Sequence, residues 1–357
     1  MSKLKAAVIG ATGLVGQNLV KILSKHPWFN IVSLFASKKS AGRRYCEAVK
    51  WYMDHSLPDD IGEIKVEYIG NVEGSYDVDI FFSAVPSDIA AHIEPELARR
   101  GYAIISDSSI YRMDNDVPMI IPEVNPDHLR LINEQRKSRN WSGFIVKTSN
   151  CTAAILSLSL KPILNLTKIE RIIISTMQSI SGAGYLGLPS MAILGNIIPY
   201  IENEEEKIEC ESLKILGSFY NGRILPAQFK ISASCNRVPV YEGHMINVFL
   251  EMNNEIDAID VIKAMETFIG LPQKLNLPTA PQRPIIVRKE PDRPQPILDK
   301  EASNGMAIVV GRIRNDNIGK QYLKYVVLGN NMIRGAAGTA VLIAETLKAY
   351  NFSIEYF

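Results

Sequence analysis

The chain has 357 residues, 46% hydrophobic and 22% charged, enough for two domains with separate cores. Its 39 Lys plus Arg against 38 Asp plus Glu leave a net charge of +1, which argues against nucleic acid or a membrane surface as partner. MSKLKAAVIG lacks a secretory signal's apolar region and cleavage site, and no apolar stretch approaches the ~20 residues that span a bilayer. The four cysteines (46, 151, 210, 235) have no CxxC spacing, so we expect a cytoplasmic chain with free thiols and no metal.

Residues 1–149 alternate short β-branched runs with amphipathic segments, the rhythm of a parallel sheet wrapped by helices. Lys5–Ile9 reads as a strand, and Leu14, Val15, Leu19, Val20, Ile22 and Leu23 recur at helical spacing. Between them lies Gly10-Ala11-Thr12-Gly13-Leu14-Val15-Gly16, a GxxGxxG variant of the dinucleotide-binding turn. Glycines there allow a tight turn and close backbone approach, and the helix start offers N–H groups to a pyrophosphate. A plain turn with helix-packing glycines is the competing reading.

Ile31–Ala36 forms the next strand. An NAD site would carry an acid near its end, but Ser37, Lys38, Lys39, Ser40, Arg43 and Arg44 stand there instead. Hydroxyls and cations suit a 2′-phosphate, so NADP(H) is favoured. Strands at 78–83 and 102–106 flank a helix over 87–100. His26, at a helix end, and His92, within a polar helix, need only solvated roles; His55 and His128 lie in polar loop-like sequence.

Cys151, in Lys147-Thr148-Ser149-Asn150-Cys151-Thr152, stands where a polar run becomes a helix over 153–164, which Pro162 is expected to kink or close early. A thiol at a helix start has its pKa lowered by the dipole and free N–H groups. On this stretch alone a packing role, the usual one for a free cysteine, competes. Cys46, Cys210 and Cys235 lack that setting and read as structural. Strands follow at 169–178, 245–252, 306–314 and 322–328, with helices over 204–216 and 256–269. This pattern predicts an α+β second domain over 150–331 with a mostly antiparallel sheet. The proline-rich 277–296 suits an extended covering segment, and a helix from Arg334 has an apolar face for packing on the first domain, giving that domain residues 332–357. His244 follows Gly243, whose turn can aim an imidazole inward, and lies seven residues after Arg237.

GATGLVG, SNCT, QSISGAGY (178–185), NRVPVYEGH (236–244) and NMIRGAAG (331–338) occur in the order seen in aspartate-β-semialdehyde dehydrogenases. ASKKSAGRRY and LPTAPQRPIIV resemble the archaeal and fungal branch of that family. Ala153 departs from the second Thr that many members carry after SNCT.

The resemblance covers essentially the whole chain and implies a Rossmann-type domain joined to a catalytic and dimerisation domain. It also implies NADPH-dependent reductive dephosphorylation of L-4-aspartyl phosphate to L-aspartate 4-semialdehyde through a thioester on Cys151. By the same resemblance His244 is the acid/base, Gln178 orients the acyl group, and Arg237 holds the α-carboxylate. Arg112, Asn150, Glu204 and Lys207 contact the rest of the substrate, with the register inside the glutamate run open. A solvated helix face explains that run almost as well. Gly10, Thr12, Gly13, Leu14, Val15, Gly16, Ser37, Lys38, Ser40, Ser83, Ser181, Gly182 and Asn331 fall to the cofactor, and a homodimer or homotetramer is expected.

The related malonyl-CoA reductases share QSISGAGY and the proline-rich segment but tend to place Pro-Leu where this chain has Ser149-Asn150. A non-catalytic NADP-binding sensor is the alternative from another class. It would keep GATGLVG without needing Cys151 together with His244.

Overall fold

The computed structural model describes residues 3–54, 56–71 and 76–353; His55 and the end of the 332–357 segment lie outside them. Strands β1 (Leu4–Ile9), β2 (Phe29–Ala36), β3 (Glu67–Tyr68), β4 (Ile80–Ser83), β5 (Ala103–Ser106) and β6 (Phe144–Lys147) form one parallel sheet. Their order is β3-β2-β1-β4-β5-β6. The winding reverses between β1 and β4, so a crevice opens beyond the carboxyl ends of those strands, where such sheets bind ligands. Every residue of β4, β5 and β6 is buried, because both faces of the sheet are covered. The Gly338–Ala349 helix supplies Ala340, Val341, Ala344 and Leu347 to the same core as Leu19, Val20 and Leu23, so the end of the chain packs back on its beginning.

The second sheet contains β7 (Ile169–Gln178), β10 (Lys230–Arg237), β11 (His244–Met252), β12 (Ile285–Arg288), β13 (Ile308–Asp316) and β14 (Gly319–Gly329). A separate hairpin of β8 (Ser218–Tyr220) and β9 (Arg223–Leu225) turns at Asn221-Gly222, both at positive φ as a tight hairpin requires. The order β10-β7-β11-β14-β13-β12 is mixed. Its three inner pairings are antiparallel, but β7–β10 and β12–β13 are parallel. The sheet is therefore more mixed than the sequence pattern predicts. The cause is the connections: the 179–229 crossover, carrying the Glu204–Ile215 helix, and the 289–307 crossover are long enough to return a strand in the same direction. The proline-rich segment does run extended, and its β12 is an edge strand.

This mixture positions the site. Parallel register places Arg237 opposite Gln178 at the carboxyl ends of β10 and β7. Antiparallel β11 starts at that same edge with His244, which pairs with Gly329 as β14 leaves. Four strand ends thus converge beside the Cys151–Leu164 helix, most of which is buried against the sheet. Pro162 does not close that helix early. It sits in the last turn, where the missing N–H forfeits one bond two residues before the end.

His26, read as needing only a solvated role, and His128, read as lying in loop-like sequence, are both buried. His26 Nε2 lies 2.6 Å from Glu345 Oε1, and His128 sits between Asn125 (2.9 Å) and the Gly217 carbonyl (3.2 Å). His92 is exposed as expected. Burial pushes His128 down to about 4, below the ~6.5 of an unfolded chain. The unfolded state then binds the extra proton first, so this contribution is intact above about pH 6.5 and is lost as pH falls toward 4. We expect His128→Asn to lower the unfolding midpoint at pH 8 and to flatten its decline between pH 6.5 and 4, as read by thermal melts across that range.

Candidate active site

The nucleotide turn is built from its glycines. Gly10 has φ +83°, and a Cβ there would lie 2.4 Å from the Ala84 carbonyl oxygen. A Cβ on Gly16 would lie 2.1 Å from the Gly10 oxygen, whereas Gly13 meets only that same oxygen at 3.5 Å and faces open space. The Leu14–Ser24 helix that follows has no side-chain cap and no acid in its first turn. Its free N–H groups and open Gly13 fit a dinucleotide pyrophosphate. Thr12, Leu14 and Val15 are partly exposed at this edge, and the Tyr45 hydroxyl supports the turn from beneath by donating to the Ala11 carbonyl at 2.7 Å.

Ser37, Lys38 and Lys39 are exposed beyond β2, with Lys38 Nζ 5.3 Å from the Tyr68 ring centre, while Ser40 is buried. Neither lysine has a carboxylate partner among the described residues. The arginines of this cluster differ: Arg44 pairs with Glu47 and Glu63, and Arg43 donates to the Glu47 carbonyl. Arg43 bonds a neutral carbonyl through one nitrogen, so its charge stays available to a 2′-phosphate beside the lysines and hydroxyls, whereas Arg44 is neutralised. The Ser83 hydroxyl likewise donates to Glu94 (2.8 Å), in a buried group that includes Ser106 and Lys147, and the turn is bordered here by the Ala84 carbonyl and the Val85 side chain.

Cys151 is the first residue of its helix and is half-buried. Asn150 Oδ1 accepts from the N–H groups of Thr152 (2.9 Å) and Ala153 (3.0 Å), and its Nδ2 donates to both oxygens of Glu204 at 3.0 Å. Glu211 accepts from the Asn150 N–H (2.5 Å) and from Arg112 Nη1 (3.2 Å). Arg112 is buried beside Asp107, and its Nε has no hydrogen-bond partner among the described residues. Within the glutamate run Glu204 is the residue bonded to Asn150 and, at 3.4 Å, to the Thr152 hydroxyl, whereas Glu205 accepts from the Cys235 N–H. Glu204, Lys207, Glu211 and Lys214 recur at helical spacing, and all but the half-buried Lys207 are buried. This helix face is not solvated. Lys214 donates to the carbonyls of Arg112, Asp114 and Val117, holding the arginine's loop in place.

At the sheet edge, Gly243 at φ +101° turns His244 inward. Its Nδ1 lies 3.1 Å from the Ser179 N–H nitrogen and 3.0 Å from Ser179 Oγ, while Nε2 is buried without a partner among the described residues. Among the described residues Arg237 commits only Nη1, to the Ser179 carbonyl at 2.8 Å. A Cβ on Gly182 would lie 2.8 Å from that Nη1 and 3.2 Å from His244 Nε2, which places imidazole and guanidinium against one another. Gln178 is buried beside them with Nε2 near Thr176 Oγ1 and Cys235 Sγ. Asn331 and Ser181 are tied mainly to protein groups. On the far side Gly335, in a wide π-type turn over Ile333–Ala337, touches the nucleophile, for its added Cβ would fall 2.5 Å from Cys151 Cβ. A cavity of about 190 Å³ lined by Leu14, Tyr52, Ser181, Tyr241, Asn330 and Met332 joins this edge to the nucleotide turn.

The surroundings of Cys151 in the free site disfavour a thiolate. Burial first, then the carboxylates of Glu204 and Asp107, push the Cys151 thiol up to about 12, with Arg112 opposing. The expected lowering by the helix start fails for a structural reason: Asn150 already caps the N–H groups that would face the sulfur. His244 is pushed down to about 3 by burial and Arg237, so thiol and imidazole rest as a neutral pair. Asp107, Glu211, Ser179 and Gly335 also belong to this group, although the sequence gives none of them a role. Ser179 and Gly335 lie inside QSISGAGY and NMIRGAAG, and Glu211 lies on the charged stripe it shares with Glu204 and Lys207.

Comparison with known proteins bears on this geometry. The model of the semialdehyde dehydrogenase NAD binding domain matches residues 5–132, and that of the semialdehyde dehydrogenase dimerisation domain matches 160–334. An aspartate-semialdehyde dehydrogenase of Methanothermobacter thermautotrophicus is 49% identical over 341 residues, covering 95% of this chain and 97% of that protein. The chain belongs to the aspartate-semialdehyde dehydrogenase family. The crystal structure of the Candida albicans aspartate-semialdehyde dehydrogenase with NADP superposes with a TM-score of 0.89 at 38% identity, covering 98% of this chain and all of that one. An NADP-dependent malonyl-CoA reductase of Metallosphaera sedula is 40% identical, covering 96% of each chain. Aspartate-semialdehyde dehydrogenases thus include the stronger relative, and among the described residues no helix is long and apolar enough to cross a membrane.

Proposed function

We propose that this chain catalyses the NADPH-dependent reductive dephosphorylation of L-4-aspartyl phosphate to L-aspartate 4-semialdehyde, serving synthesis of lysine, threonine, methionine and isoleucine. The observation that carries the reading is the grouping of Cys151 with two buried arginines, Arg112 and Arg237, and a histidine whose Nε2 is unpartnered. A soft nucleophile, a proton carrier and two cations are what a multiply anionic acyl phosphate requires.

Arg237 clamps the α-carboxylate through the nitrogens it does not use on Ser179, and Glu204 and Lys207 take the amino group and phosphoryl region. Cys151 Sγ gives its proton to His244 Nε2 and attacks the acyl carbon. The bond to phosphate oxygen breaks, and phosphate leaves against Arg112. NADPH, when bound through residues 10–16, Ser37, Lys38, Ser40 and the edge formed by Ser83, Ser181, Gly182 and Asn331, supplies the hydride that reduces the thioester. Gln178 orients the acyl group. His244 protonates the oxygen of the reduced adduct and recovers the proton as the aldehyde forms and Cys151 is expelled.

The chain divides, on this reading, into a cofactor domain of residues 1–149 completed by 332–357 and a catalytic domain of 150–331. A homodimer or homotetramer forms through the outer face of the second sheet, where Ile173 and Phe249 are about half exposed. Four unpaired cysteines suit the cytoplasm. The test is NADP⁺-dependent oxidation of aspartate semialdehyde with phosphate, run beside malonate semialdehyde with coenzyme A. Preference for the first pair supports the reading, and preference for the second makes the chain a malonyl-CoA reductase. Replacing Lys38 and Lys39 by alanine is expected to raise KM for NADP⁺ about tenfold or more, the loss of one or two charge-assisted contacts, while KM for NAD⁺ stays within about twofold. Equal effects on both cofactors would place the 2′-phosphate elsewhere.

A further inference from the structure

One helix holds both sides of the reacting centre. Glu204, Glu211 and Lys214 stand on one face of the Glu204–Ile215 helix, and all three are buried. Glu204 takes the Asn150 side-chain amide, and Lys214 takes the carbonyls of Arg112, Asp114 and Val117. Glu211, between them, reaches both. Its Oε2 accepts from the Asn150 N–H at 2.5 Å, one residue before the nucleophile, and its Oε1 accepts from Arg112 Nη1 at 3.2 Å.

A guanidinium carries five N–H groups in one plane, so two fixed bonds set where the other three point. Arg112 has two such bonds: Nη1 to Glu211, and Nη2 to the Asp107 carbonyl at 2.7 Å. Its Nε is buried with no partner among the described residues, and its charge is felt at Cys151, where it favours the thiolate. The two ends of the Glu211 bridge differ in what else supports them. Without Glu211, Cys151 keeps its helix start, because Asn150 still caps Thr152 and Ala153 and still bonds Glu204. Arg112 keeps only the Asp107 carbonyl, and the Asp107 carboxylate, 3.9 Å from Nη2, is the counter-charge left within ion-pair distance among the described residues. The Thr148 hydroxyl holds that carboxylate at 2.6 Å, so the guanidinium is the group that turns.

Resting on the reading that phosphate leaves against Arg112, we infer that Glu211 is a positioning residue for the phosphate step. Its carboxylate ties the guanidinium to the backbone beside Cys151. The oxyanion and the sulfur are thereby held at one spacing while the carbon–oxygen bond to phosphate breaks, or forms in the oxidative direction. Glu211 touches neither substrate nor cofactor and carries no proton.

The test uses the oxidative direction, with aspartate semialdehyde and NADP⁺, and separates two steps. NADPH formed in one burst without phosphate reads acylation of Cys151, and kcat/KM for phosphate reads discharge of the thioester. Glu211→Gln keeps the side-chain volume but offers one oxygen to two donors. It should lower kcat/KM for phosphate about tenfold or more, the loss of one charge-assisted bond, while slowing the burst less than about threefold. Glu211→Ala should show the same split or a deeper one, and if it fails to fold the glutamine variant decides. Arg112→Ala should show the split too. Adding Glu211→Gln to it should change kcat/KM for phosphate by less than about twofold, where independent effects would multiply. In a wild type that phosphate discharges, three results would each overturn the inference alone: burst and discharge falling together in Glu211→Gln, an unchanged discharge, or an effect that multiplies with that of Arg112→Ala. A wild type discharged only by coenzyme A would overturn the phosphate reading and this inference with it.

Discussion

Cys151→Ala should abolish reduction and phosphate-dependent oxidation, with kcat falling by about 10⁴-fold or more, as removal of a covalent nucleophile does. The substitution should leave the helix in place, because its cap is the Asn150 side chain and not the thiol. Cofactor affinity should stay within about twofold, since the glycine turn lies on the other sheet. Titration of NADPH fluorescence beside a turnover assay separates these effects. Cys151→Ser tests the chemistry more narrowly: it keeps a proton donor but raises the barrier to ionisation, and a loss of at least about 10³-fold is expected. Retained activity in either variant would remove the thioester from the mechanism and favour a binding protein or a different nucleophile.

Glu123→Ala should be the most damaging single change to stability outside the apolar cores. Both oxygens of Glu123 accept from Arg334, at 2.8 and 3.0 Å, and both side chains are fully buried. Arg334 also donates to the Met306 carbonyl at 2.6 Å, so it joins the first domain to the second sheet. Removing the carboxylate leaves a buried guanidinium without its counter-charge, a loss of about 3–5 kcal/mol. Activity should fall too, because Arg334 precedes the glycine that abuts Cys151. Replacing both partners with apolar residues of similar volume, Glu123→Leu with Arg334→Met, should recover much of the stability. Thermal or urea midpoints of the three variants decide the matter. A Glu123→Ala midpoint equal to wild type would mean that the pair contributes little.

The contrast between these residues marks where sequence reading succeeds and where it stops. The glycine turn is legible because backbone geometry demands particular residues at fixed spacing, and β1, β2 and the Leu14–Ser24 helix announce themselves by period. Cys151, Gln178, Arg237 and His244 are legible only as ordered motifs; nothing in their separate surroundings says that parallel β7–β10 pairing brings them to one edge. Parallel pairing depends on where a long crossover returns, which no local pattern encodes. Charge misled in two places: Arg44 looks available to a phosphate but is paired with acids 3 and 19 residues away, and the Glu204–Lys214 stripe looks solvated but is turned inward. The thiol's resting state was hidden for a similar reason. A helix start suggests a thiolate, while burial and then the Glu204 and Asp107 carboxylates favour the neutral form, a balance set by tertiary contacts.

The most direct measurement is the intact mass of the enzyme after mixing with NADP⁺ and aspartate semialdehyde in the absence of phosphate, followed by phosphate. An aspartyl adduct on Cys151 that forms with reduction of NADP⁺ and disappears when phosphate is added is the predicted result. NADPH formed with no adduct on Cys151, or an adduct that only coenzyme A discharges, would contradict it.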